Sequence, residues 1–325
     1  MTLNLVTGAD GFVGQHLVAE LLQQGQKVVG AVPRCPPELT TLSEENARRV
    51  DWVTLDLESR DTIREVVRGY RTDRVFHLAG LTSVARSLQD PVSTFSVNAA
   101  GTLLLLKELA DVPRGTARGP IIVIAGSADA YGTAANRCRP LTEECPLEPL
   151  SPYAVSKATQ EMLGLQFHRA YGLSVIVTRS FNHTGPGQRP PFVVPQFAMQ
   201  ILAAGSADTE GAVRVGNLDV RRDFTDVRDV VRAYTLLADR GQAGRVYNVC
   251  SGRSRRMGEL LELLLDIAQI PLEVEPDPQL MRPADIPELV GDASRLATAT
   301  GWAPQIELRQ TLADLLDSLK VDKGD

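Results

Sequence analysis

Along the first 180 residues, short runs of β-branched and apolar residues alternate with longer stretches whose apolar positions recur at helical spacing. Leu3 to Thr7, Lys27 to Val32, Asp51 to Leu55, Arg74 to Leu78, Ile121 to Ala125 and Leu173 to Thr178 read as strands. Strands alternating with helices predict βαβ units, and right-handed crossovers arrange these into a doubly wound parallel sheet. A ligand then belongs beyond the carboxyl ends of the strands, where the strand order reverses. From Phe181 the texture changes, because FNHTGPGQRPPFVVP holds too much Gly and Pro for one continuous helix or strand. This passage is expected to carry the chain into a smaller lobe. The segment RVYNVCSG, Arg245 to Gly252, reads as a buried strand ending in a turn, so the chain should return to the main sheet there.

Composition narrows the function classes. The 325 residues are 43% hydrophobic and 23% charged, an ordinary globular balance, and the length suits one large domain with a smaller lobe. A net charge of −6 and a pI near 5.4 argue against a nucleic-acid partner, which demands a basic surface. An anionic ligand would instead need a few local arginines. Cys35, Cys138, Cys145 and Cys250 show no CxxC spacing, and His16, His77, His168 and His183 form no ligand motif, so neither disulfide nor metal is expected. MTLNLVTG lacks a basic region before a long apolar run, and no apolar run approaches the roughly 18 residues of a membrane span. The expectation is a cytoplasmic protein with no membrane partner.

Gly8, Gly11 and Gly14 in TGADGFVG follow the first strand and open the next helix. Glycine allows a tight turn and close approach to a pyrophosphate, while free N–H groups at the helix start face the anion. The alternative is a tight turn without a ligand. The GxxGxxG spacing resembles the short-chain dehydrogenase/reductase superfamily, which implies a Rossmann-type α/β fold and a nicotinamide dinucleotide. That resemblance sets Gly8, Gly11, Phe12, Val13 and Gly14 against the cofactor, joined by Asp56 and Leu57 after the third strand. Leu78, Ala79 and Gly80 follow the fourth, and Asn98 lies in NAAGT. On the residues alone, Asp56 reads equally as a helix cap and Asn98 as a satisfied core polar group. After the second strand stands Val32-Pro33-Arg34, with no carboxylate before Glu38 to hold a ribose 2′-hydroxyl. NADP(H) is therefore favoured, with Arg34 either its phosphate ligand or a solvated loop residue, and NAD(H) is the alternative.

Tyr153 and Lys157 in SPYAVSKATQE are four apart, which a helix places on one face. A cation near the phenol favours the phenolate, so the pair could exchange a proton near neutral pH. The bland reading is a surface pair. Following the glycine turn and a strand ending near Ser127, it resembles the Tyr and Lys of the superfamily. The resemblance makes Ser127 a hydrogen-bond donor to the reacting sugar oxygen. It also sets Asp129 where the dehydratase branch carries an acid.

RSFNHTGPGQ from Arg179, FVVPQFA, VGNLDVRRDFTDVRDVVRAY, VYNVCSG, RPADIPELVGD and TGWAP together resemble one family along nearly the whole chain, the GDP-4-dehydro-6-deoxy-D-mannose reductases that form GDP-D-rhamnose. Thr184 to Gln188 matches them better than the related GDP-mannose 4,6-dehydratases. Ala125-Gly126 departs from relatives that carry serines there. The resemblance implies a GDP-sugar substrate contacted by Thr82, Ser127, Asn182, Val193, Arg222 and Arg282, and a homodimer built on the helices carrying Tyr153 and following Asn98. The alternative for Arg222 and Arg282 is a structural ion pair with Asp223 or Asp285. The implied domains are a dinucleotide unit over 1–180, with a returning segment near 223–252, and a nucleotide-sugar lobe over 181–222 and 253–325. The rivals are a 4,6-dehydratase or a C4 epimerase, and, from another class, a dinucleotide-sensing protein without catalysis.

Overall fold

The computed structural model describes residues 1–112, 119–205, 211–281 and 286–321. Strands Leu3–Thr7 (β1), Lys27–Val32 (β2), Val50–Thr54 (β3), Arg74–His77 (β4), Ile121–Ser127 (β5) and Ser174–Ser180 (β6) join Val246–Val249 in one seven-stranded sheet. All its pairs are parallel, in the order Val246–Val249, β6, β5, β4, β1, β2, β3. The order reverses between β1 and β4, so the Rossmann-type doubly wound fold is present with its crevice beside Thr7 and His77.

Strands in such a sheet are covered on both faces, which explains their near-continuous apolar runs. Side chains alternate across the sheet. Val6 packs on one face with Leu17, Val18, Tyr234 and Leu237, and Leu5 on the other with Val29, Leu105, Leu106 and Phe167. A third core joins the helices Val193–Ala204, Met257–Ala268 and Leu308–Val321 through Phe197, Ile201, Leu260, Leu264, Leu312 and Leu316.

Several boundaries differ from those read in the sequence. β3 begins at Val50 and stops at Thr54, and β4 ends at His77 rather than Leu78. β5 and β6 run on to Ser127 and Ser180, whose Cα atoms pair. The continuation passes through Gly126, where a Cβ would lie 2.2 Å from the carbonyl oxygen of Thr178. Gly126 therefore cannot take a side chain without a shift of the β6 backbone. Inside the Gly/Pro-rich passage the helix Val193–Ala204 already starts, since its Pro195 falls in the first turn, where no N–H bond is lost. Within 253–325, Leu296 and Trp302 pack in the core of the main sheet instead of the smaller lobe, and the Trp302 indole donates to the Asp229 carbonyl at 3.0 Å.

Candidate active site

The glycine turn lies at the reversal of the sheet. Gly8 has φ +69°, and a Cβ on it would come within 2.9 Å of the Ala79 backbone, so the chain leaving β1 presses against the chain leaving β4. The helix Phe12–Gln23 starts at Gly11 with no side-chain cap, leaving its first N–H groups to face a ligand, as a pyrophosphate requires. Leu78, Ala79 and Gly80 border this opening, and Asn98 supports it from behind. The Asn98 amide donates to the Leu81 carbonyl at 2.9 Å and to Ser156 Oγ at 2.9 Å, while its oxygen accepts the Leu81 N–H at 2.7 Å. Asn98 is thus a satisfied buried group that shapes the backbone around Gly80. It sits in a π-helical turn, Ser96–Ala100, a form often found at functional sites. Leu57 is buried and Asp56 exposed, its Oδ1 accepting the Glu58 N–H at 2.9 Å, while Ser59 caps the next helix. Arg34 is exposed in the loop after β2.

Ser127 ends β5, and its hydroxyl accepts the Asp129 N–H at 3.2 Å, which leaves its own proton to donate. Tyr153 and Lys157 lie in the first turns of the helix Pro152–Tyr171, capped by Ser151. Tyr153 is buried, only 8% exposed. Burial raises its phenol above the ordinary range, and the Asp129 charge raises it further, with nearby Ser127 acting the other way. A raised phenol is one that holds its proton until an acceptor is placed against it. Lys157 lies 6.0 Å from the Tyr153 ring centre and donates to the Ala125 carbonyl at 2.9 Å. Burial brings its ammonium down to about 8.

A buried chain of polar side chains behind this group escaped the sequence reading. Thr102 gives its proton to the Asn98 carbonyl at 2.6 Å, so it can only accept from Gln160 at 2.6 Å and from His77 Nε2 at 2.8 Å. That assigns the Nε2–H tautomer to His77, and Nδ1 then accepts from Thr7 Oγ1 at 2.9 Å. Thr7 Oγ1 accepts in turn from the Ala79 N–H at 3.2 Å. Burial, and secondarily Lys157, press His77 down to about 3, so it stays neutral. Polar residues at the ends of two apolar strands, Thr7 and His77, were the available signal.

On the sugar side, Asn182 follows β6 closely and lies exposed on the short strand Asn182–Thr184, which pairs with Arg221–Asp226. Arg222 stands on that adjacent strand, half-buried, with one guanidinium nitrogen donating at 2.8 Å to both the Arg221 and Ile286 carbonyls. The Asp223 carboxylate accepts from Ser251, Gly252 and Gly291. Val193 opens its helix partly exposed, and Thr82 is exposed beyond Gly80. Arg282 and Asp285 lie outside the described residues. Among the described residues no group of three or more His, Cys, Asp or Glu could hold a metal, and no helix is long and apolar enough to cross a membrane.

The fold and its Tyr-x-x-x-Lys helix beside the strand ends are those of an NAD(P)-dependent enzyme of the short-chain dehydrogenase/reductase type. The family model for GDP-mannose 4,6 dehydratase matches residues 5–315, and the chain belongs to that family. It is 40% identical to the GDP-6-deoxy-D-mannose reductase of Pseudomonas aeruginosa, over 96% of this chain and 95% of that one. It is 27% identical to the GDP-mannose 4,6-dehydratase sdnI of Sordaria araneosa, over 96% of this chain and 60% of that one. The solved structure of RMD from Pseudomonas aeruginosa complexed with NADPH superposes with a TM-score of 0.83 at 37% identity, covering 99% of this chain and all of the other. The reductase resemblance read from the sequence is borne out at this level.

Proposed function

We propose that the protein reduces the 4-keto group of GDP-4-dehydro-6-deoxy-D-mannose with NADPH, giving GDP-D-rhamnose. The arrangement that carries the reading is buried Tyr153 at the end of the strand carrying Ser127, with Lys157 one helical turn on and 6.0 Å from its ring, since ketone reduction needs an acid at the carbonyl oxygen and burial favours the phenol. The 40% identity to a GDP-6-deoxy-D-mannose reductase and the NADPH of its solved counterpart support substrate and cofactor.

In this reading the glycine turn Gly8–Gly14 and the helix start at Phe12 and Val13 hold the pyrophosphate, Arg34 the 2′-phosphate, and Asp56 and Leu57 the adenosine. Leu78, Ala79 and Gly80 line the nicotinamide side, with Asn98 holding the adjoining backbone at Leu81 from behind. Bound NADPH supplies the hydride to C4. Ser127 donates a hydrogen bond to the carbonyl oxygen and Tyr153 transfers its proton there, so the ketone becomes an alcohol. The Lys157 cation, 6.0 Å from the ring, stabilises the phenolate left behind and binds the nicotinamide ribose. Thr82, Asn182 and Val193 meet the sugar and base, while Arg222 and Arg282 neutralise the diphosphate. In the same reading residues 1–180 with 223–252 form the dinucleotide unit and 181–222 with most of 253–325 the sugar lobe, while Leu296 and Trp302 pack with the main sheet.

A cytoplasmic location and a homodimer complete the reading. The dimer is supported by Leu88, Val92, Phe95, Leu103, Val155 and Met162, which are 41–78% exposed on the helices around Tyr153 and Asn98. Leu105 and Leu106, apolar in the same run, pack into the core instead.

A second reading, the 4,6-dehydratase, is favoured by the family match and by Asp129 acting on Tyr153. Incubation with GDP-D-mannose and no added reductant separates the two. The reductase leaves the sugar unchanged; appearance of the 4-keto sugar would establish the dehydratase.

A further inference from the structure

We propose that Gln15 is a positioning residue that sets how tightly the enzyme grips the 2′-phosphate of its dinucleotide. The inference rests on the reading of the loop after β2 as the 2′-phosphate site. Residues 33–43 carry no helix or strand, so no ladder of backbone hydrogen bonds within the loop holds its far end in place.

Gln15 follows Gly14 and is buried, 2% exposed. Its amide oxygen accepts the successive backbone N–H groups of Thr40, Thr41 and Leu42 at 2.8, 2.9 and 3.1 Å, with the Thr41 hydroxyl at 3.3 Å. Its amide nitrogen donates to the Asp10 carbonyl at 2.7 Å and to Thr40 Oγ1 at 3.3 Å. Consecutive backbone N–H groups converging on one point form the concavity that proteins commonly use for anions. Here a neutral side chain fills it, which binds the end of the loop to the glycine turn. Neither the buried amide nor the three N–H groups can lose these partners without a penalty.

The loop is also held from the opposite side. Gly187, at φ +80°, lies so close that a Cβ would come within 1.9 Å of Thr41 Cγ2. The carbonyl of its neighbour Pro186 accepts from His16 Nε2 at 2.9 Å, and the Gly187 N–H donates to Ser318 at 3.1 Å. The Thr184 to Gln188 element thus presses on the adenosine side of the cofactor site. With one end of the loop fixed at Thr40 to Leu42 and the other at β2, the span carrying Arg34 has few shapes available. Gln15 touches neither cofactor nor substrate in this scheme; it acts through the loop.

The test is calorimetric titration of the full chain with 2′,5′-ADP and 5′-AMP, probes that differ in the 2′-phosphate alone. Wild type should prefer 2′,5′-ADP. Gln15→Leu should lose about tenfold in 2′,5′-ADP affinity and less than about twofold in 5′-AMP affinity, the size of one charge-assisted contact. Gly187→Ala, which disturbs Thr41 from the other face, should show the same selective loss, so the outcome does not depend on the folding of one variant. Equal weakening of both probes, or no change in either, would overturn the role of Gln15 while leaving the 2′-phosphate site standing. A wild type indifferent to the 2′-phosphate would overturn the site reading and the inference with it.

Discussion

Lys157 sits one helical turn after Tyr153, its ammonium 6.0 Å from the phenol ring and anchored 2.9 Å from the Ala125 carbonyl. Both groups are buried, and burial acts on them in opposite directions. It keeps Tyr153 protonated and draws Lys157 down to about 8. In the free enzyme Lys157 is therefore a cation below about pH 8 and neutral above. In the proposed mechanism the phenolate left by proton transfer needs that cation, so kcat/KM is expected to fall as pH rises through about 8. A profile flat to pH 10 would remove Lys157 from the reaction.

Tyr153→Phe should lower kcat by about 10² to 10⁴-fold, the usual worth of a positioned general acid. Asp129→Asn should cost less than about tenfold, because hydride addition to a ketone needs no second base. Steady-state kinetics on both variants checks the contrast. Equal damage from the two would point to elimination chemistry.

His77 should shape the acid stability of the protein. Its folded value of about 3 lies below the ordinary 6.5, so between these the unfolded chain binds the extra proton. Stability from this residue is complete above about pH 6.5 and is lost as pH falls toward 3, by about 1.4 kcal/mol per unit. His77→Gln should give a shallower decline of melting temperature with falling pH, whatever its level at neutral pH. An unchanged slope would contradict the neutral, buried assignment.

The strands and the glycine turn were legible because parallel strands covered on both faces must be apolar runs, and a turn such as Gly8 requires glycine. Tyr153 and Lys157 were legible because helical spacing alone brings them to one face. The Thr7–His77–Thr102–Gln160 chain was not, since its members come from β1, β4 and two later helices that only tertiary packing joins. Gln15 looked like one more polar position on an amphipathic helix, and its partners at Thr40 to Leu42 lie across a loop without periodicity. The state of the Tyr153 phenol also depends on burial, which spacing does not reveal.

Arg222→Ala should weaken nucleotide-sugar binding by about 1.5 to 3 kcal/mol if it meets a phosphate. Cofactor affinity should stay the same. A lower melting temperature with an unchanged KM for the sugar would mean that its role is structural.

A charge placed in the exposed apolar patch, as in Met162→Lys or Val92→Glu, should convert a dimer into a monomer without unfolding it. Light scattering at micromolar concentration reads this directly. A wild type that is already monomeric would contradict the dimer.

The most direct test of the central claim follows NADPH absorbance while GDP-4-dehydro-6-deoxy-D-mannose is added to the enzyme and the product sugar is identified. One NADPH should be oxidised for each sugar consumed, with GDP-D-rhamnose formed. Turnover of a nucleotide sugar without net loss of NADPH, or binding without turnover, would contradict the reductase.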